Sequence, residues 1–129
     1  MDDKLKLIQG ISSDADLLTL ADHLGIHIDD VLLLGEVNEP VDIKKTYLIL
    51  LNDSSKIGHW VCSSNGYYWD SMGVGPPSKL GLKNYNKIQY QGTYNNYCGI
   101  FCLLFLYCRQ HKKMHLMKQF QDMNNKDFE

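Results

Sequence analysis

The sequence lacks a dominant charge, a long apolar run and a paired-cysteine knuckle, and each shortage removes a class of function. Thirteen Lys and Arg stand against fifteen Asp and Glu, a formal charge of −2. Without a basic footprint the chain has little means of gripping a phosphate backbone, so nucleic-acid binding is not expected as its main task. The longest apolar stretch, Ile100 to Tyr107, is far shorter than the roughly 20 residues a bilayer crossing needs, so no membrane partner is expected. The opening MDDKLKLIQG is acidic and has no apolar signal region, and the expectation is a protein that is not secreted. Prolines number three, Pro40 and the adjacent pair Pro76-Pro77. The pair makes GVGPPSKLG an expected irregular loop. There is no repeat, linker or low-complexity tract.

The cysteines fall at positions 62, 98, 102 and 108, and none forms a Cys-x-x-Cys pair. Three of them lie on one expected helix at spacings that do not converge on a single ion, so neither a metal nor any other cofactor is expected. Cys62, Cys102 and Cys108 read as reduced thiols packed in the core. His111 and His115 stand four apart, as do His23 and His27, but Gly25 interrupts the second pair and neither has a flanking glutamate motif. They read as exposed histidines.

What is present suffices for one domain: 129 residues with 44% hydrophobic content. The chain divides into an N-terminal helical part (1–45), a central core (46–117) and a frayed tail (118–129). SSDADLLTLADHLGI reads as an amphipathic helix capped by Ser12 or Ser13, with Asp14 and Asp16 at its positive end. Leu17, Leu20, Ala21 and Leu24 form one face, and Gly25 is the stop. VLLLGEVNEP is apolar and then turn-like. TYLILL reads as a buried strand. Asn65-Gly66 has the composition of a two-residue hairpin turn, making His59–Ser63 and Tyr67–Asp70 antiparallel neighbours. KIQYQG alternates like a third short strand. A helix then runs from Cys98 through CLLFLYCRQHKKMHLM, apolar all round at first and polar afterwards. The expected fold is α+β: a small antiparallel or mixed sheet with a central helix that carries Cys98 at its N-terminus.

That placement of Cys98 suggests chemistry. Unpaired amides of a first helical turn favour a thiolate, and the thiolate is the nucleophile. A thiol of this kind needs an imidazole, a group that orients the ring, and donors for an oxyanion. His59 opens a strand where its ring could enter a cleft. In a hairpin turning at Asn65-Gly66, Asp70 falls diagonal to His59 on the same face, close enough for a carboxylate–imidazole bond. Gln91 can place an amide donor near the thiol. The Cys98 and Gly99 backbone offers further N–H groups, and Gly99 permits close approach.

The stretches GHW, YYWDSMG and QGTYNNYCGIFCLLFL resemble the adenovirus-type and SUMO-protease-like cysteine peptidases of papain-like architecture. The pattern Q-x6-C-G-x-F-C on Gln91, Cys98, Gly99, Phe101 and Cys102 is most similar to the capsid-maturation proteases of adenoviruses, virophages, Maverick/Polinton elements and related DNA viruses. The resemblance covers about residues 46–107. It implies a cysteine endopeptidase that cuts viral structural precursors after Gly-Gly-like sites, in the virion or the cytoplasm of an infected cell. It implies His59 as general base, Asp70 as its orienting partner, Gln91 as oxyanion donor, Cys98 as nucleophile, and Trp60 as wall of the groove for the glycines. The adenovirus enzyme is helped by DNA and a peptide; the charge of this chain gives no support for a nucleic-acid activator, neither is carried over, and a monomer is expected. Two other functions stay open: removal of ubiquitin- or SUMO-like modifiers, and an inactive protease-fold module that grips a Gly-Gly segment.

Overall fold

The computed structural model describes residues 14–51, 59–90 and 97–121. The expected Ser12 or Ser13 cap falls outside them. Helix α1 spans Asp14–Leu24, with both early aspartates at its positive end. Leu17 and Ala21 are buried one turn apart, whereas Leu24, expected on the same face, is exposed. Gly25 adopts φ 69°, which lets the Ile26 N–H reach back to the Ala21 carbonyl at 2.9 Å and close the helix.

The sheet has five strands in chain order: β1 (Asp30–Leu33), β2 (Thr46–Leu51), β3 (His59–Ser64), β4 (Tyr67–Trp69) and β5 (Asn84–Tyr85). The outer pairs are parallel and the inner ones antiparallel, so the sheet is mixed. The first part of VLLLGEVNEP is an edge strand, so the N-terminal part is not purely helical. Asn65 at φ 49° and Gly66 at φ 81° form the expected hairpin turn. The register Cys62↔Trp69, Ser63↔Tyr68, Ser64↔Tyr67 is the expected one.

Alternation along the strands builds two cores. Leu48, Trp60, Cys62 and Trp69 face the helices, while Tyr47, Ile49, Leu51, Val61 and Tyr68 face the other way. Leu80 and Leu82, from the segment after Pro76-Pro77, cover this second face. That segment is docked by a bond from the Val41 N–H to the Leu80 carbonyl at 3.1 Å. Gly81 (φ 72°) passes so close to Pro40 that a Cβ would lie 2.8 Å from the proline Cβ.

Two expectations need correction. KIQYQG is not a strand across its described residues, Lys87–Tyr90; the two-residue strand β5 lies just before it, parallel to β4. Bonds from the Asn86 side chain to Asp70 and from the Tyr90 N–H to the Ser71 carbonyl (2.7 Å) tie this segment to the exit of β4 instead of a ladder. The central helix, α2, ends at Gln110 rather than continuing to Met117. Lys112 takes φ 58° and the Lys113 N–H bonds the Cys108 carbonyl at 2.7 Å, a helix stop made without glycine. The Gln110 amide clasps both the N–H and carbonyl of His27 at 2.7 Å each, and His111 Nε2 meets the Gly25 carbonyl at 3.0 Å. These contacts hold the end of α2 against the exit of α1. A 3₁₀ turn (Met114–Leu116) and a short helix α3 (Met117–Gln121) follow.

Helix α2 (Cys98–Gln110) is buried along most of its length, packing on β3 and against α1. Trp69 stacks on Phe105 with centroids 5.1 Å apart and planes at 9°, joining sheet to helix. No helix among the described residues is long and apolar enough to cross a membrane.

Candidate active site

β3 pairs with β2 as far as Leu51↔His59, but its pairing with β4 stops at Cys62↔Trp69. β4 therefore leaves the sheet before it reaches the level of His59. Hairpin alternation aims Trp60's N–H and carbonyl toward the place β4 has vacated. The N-terminal turn of α2 occupies it. The Trp60 N–H donates to Cys98 Sγ at 3.2 Å, and Cys102 Sγ donates to the Trp60 carbonyl at 3.4 Å. Two sulfurs one helical turn apart thus take the positions of ladder partners.

His59 and Asp70 meet in the same opening. His59 Nε2 donates to Asp70 Oδ1 at 2.7 Å, the diagonal contact expected from the hairpin register. The same oxygen accepts the Met72 N–H at 2.9 Å, which fixes the carboxylate. With Nε2 committed, Nδ1 is the second ring nitrogen, and Cys98, whose sulfur is held by the amide of the next residue of β3, interacts electrostatically with the imidazole. Burial disfavours the charged ring, but the bond to Asp70, the contact with Cys98 and the negative charge of both outweigh it. Together they push the imidazole up to about 9.

Cys98 is the first residue of α2, and the first intrahelical bond returns from the Phe101 N–H to the Tyr97 carbonyl at 3.0 Å. The amides of Cys98 and Gly99 fall at the positive end of the helix, beside the sulfur. The sulfur lies beneath the surface rather than on an open floor: Cys98 is 1% exposed, and His59 is 3% exposed.

Of the remaining expected site residues, Gly99 is buried in the first turn and the Trp60 ring is 4% exposed, within the helix-facing core. What Trp60 brings to the sulfur is its backbone amide. Gln91 lies outside the described residues. Cys62, Cys102 and Cys108 are free, buried thiols, as expected. Burial, with the neighbouring sulfurs and Asp70 adding to it, pushes the Cys102 thiol well up, which keeps its proton available for the Trp60 carbonyl. The four candidate histidines are exposed. His27 pairs with Asp29 at 2.8 Å, and no cluster suited to a metal occurs among the described residues.

Two groups at the site escaped the sequence reading. The Trp60 N–H is a backbone donor and leaves no residue-type signal. Asn86 bonds the Asp70 peptide, and nothing in NYNK marks it. Comparisons with protein-family models, with curated proteins and with solved structures find no match to this chain.

Proposed function

We propose that the protein is a cysteine endopeptidase in which Cys98 is the nucleophile, His59 the acid and base, and Asp70 the group that holds the imidazole. The observation that carries this reading is the buried His59–Asp70 bond of 2.7 Å with the Cys98 thiol, at a helix N-terminus, held at 3.2 Å by the amide of Trp60, the residue next to that imidazole. An imidazole that readily keeps a proton beside a thiol favours a thiolate–imidazolium pair. The Trp60 N–H and the helix end favour negative charge on sulfur.

In the first half-reaction the Cys98 thiolate attacks the scissile carbonyl carbon, and the carbonyl oxygen takes the negative charge toward the Cys98 amide, Gln91 being the further donor that the resemblance implies. Collapse expels the amine, which receives the His59 proton, and leaves a thioester on Cys98. Neutral His59 then removes a proton from water as it attacks the thioester. The acid departs, and the thiolate and imidazolium are restored.

The substrate class comes from the motif resemblance: Gly-Gly-like sites in viral structural precursors. The test is cleavage of a Gly-Gly-containing peptide by the wild-type protein and by Cys98→Ala. The variant is expected to lose at least about 10³-fold in kcat/KM. Cleavage by the variant at the wild-type rate would remove Cys98 from the reaction.

A further inference from the structure

The ladder between β4 and β5 ends at Tyr68↔Tyr85. One residue further on, a side chain takes over from main chain. Asn86, 7% exposed, accepts the Asp70 N–H on Oδ1 at 2.9 Å. Its Nδ2 donates to the Asp70 carbonyl at 2.7 Å and to the Ile88 carbonyl at 3.0 Å. Only one orientation of the amide satisfies all three partners, since an N–H requires the oxygen and two carbonyls require the nitrogen. The Asp70 carbonyl also accepts the Gly73 N–H at 2.8 Å. The Asp70 backbone is thereby held at both its polar atoms, while the Met72 N–H holds its carboxylate.

We propose that Asn86 is a positioning residue of the proteolytic centre: its amide clamps the Asp70 peptide and so sets where the carboxylate meets the His59 ring. The inference rests on the peptidase reading and deepens it. Chemistry singles out asparagine here, because the position needs one acceptor and two donors at short reach. Leucine, with the same branching at Cγ but a bulkier end, offers none. Aspartate keeps the acceptor but turns a carboxylate oxygen toward two carbonyls. Asp70 lies between Asn86 and His59, so loss of the clamp acts on the ring's orientation and proton affinity rather than on substrate contact.

The experiment compares wild type, Asn86→Leu and Asn86→Asp for peptide cleavage and for the titration of His59, followed by imidazole ¹⁵N shifts. Asn86→Leu is expected to lower kcat about tenfold or more with KM within twofold, and to move the His59 midpoint down from about 9 by about one pH unit. Asn86→Asp, which keeps one of the three bonds, is expected to lose kcat with KM likewise retained. Folded variants with wild-type kcat and an unmoved His59 midpoint would overturn the inference. Should both variants fail to fold, the wild-type protein decides: scalar coupling across the bond from the Asp70 N–H to the Asn86 side-chain carbonyl is expected, and its absence defeats the clamp. Failure of the peptidase reading looks different. In that case wild type does not cleave, and site-resolved iodoacetamide alkylation of Cys98 is the same with and without His59→Gln.

Discussion

The two ends of the β3–β4 hairpin are built by different means. At the turn end, backbone pairs with backbone through Ser64↔Tyr67, and the Thr46 and Ser64 hydroxyls meet at 3.1 Å across the next strand. At the far end β4 has left, and side chains supply the bonds: the Cys98 and Cys102 sulfurs for Trp60, and the Asn86 amide for Asp70. Buried peptide groups must find partners wherever a ladder stops. Here the partners are drawn from distant parts of the chain, and they converge on one imidazole. Interrupted pairing both opens the space for the site and recruits the groups that line it.

The largest effect on this contrast should come from Trp69→Ala, which truncates the last paired residue of β4 and removes its stack on Phe105. A loss of about 3–5 kcal/mol in stability is expected, read by denaturant unfolding. Because Trp69 joins the two ends, cleavage should fall with it.

A smaller effect isolates the site end. The His59 proton is held more tightly in the folded chain, with a midpoint of about 9, than in the unfolded chain near 6.5. The folded state therefore binds more protons between these values. The stabilisation is fully present below about pH 6.5 and is lost as pH rises through about 9. Cys98→Ser is the background for the measurement; it takes away the part of the elevation that Cys98 supplies and leaves the part that Asp70 supplies. From pH 6.5 to 8 stability should fall by roughly 1 kcal/mol in this background. Adding His59→Gln should flatten the profile.

The smallest effect on the site belongs to the turn end. Gly66 sits at φ 81°, where an added Cβ meets only Ile43 at an ordinary 3.5 Å. Gly66→Ala should cost about 1–2 kcal/mol through backbone strain alone. It should leave kcat unchanged, and a fall in kcat would show that the two ends are not separable.

The same contrast explains what could be read from residue order. Asn65-Gly66 and the alternating apolar residues around it specify turn, register and faces locally, and the His59–Asp70 diagonal follows by counting from the turn. Cys98 at the head of α2 was legible because a polar loop gives way abruptly to an apolar run. The edge strand β1 was not, because VLLL has no alternation and earns its pairing only from β2. The end of α2 was missed because Lys112 takes a conformation usually left to glycine, just after Gln110 and His111 meet His27 and Gly25 across 83 and 86 positions of sequence. Asn86 was missed because its role exists only after β4 and β5 are side by side.

The pairing of Cys98 and Cys102 with a single residue of β3 fixes the azimuth of the central helix. Successive residues are separated by about 100° around the axis, so a one-residue insertion between the two sulfurs would swing one of them off Trp60 while the other stayed docked. Their four-residue spacing is thus a gauge of rotational phase: an insertion ahead of position 98 leaves it intact, whereas altering the count inside the first turn misaims the Cys98 sulfur.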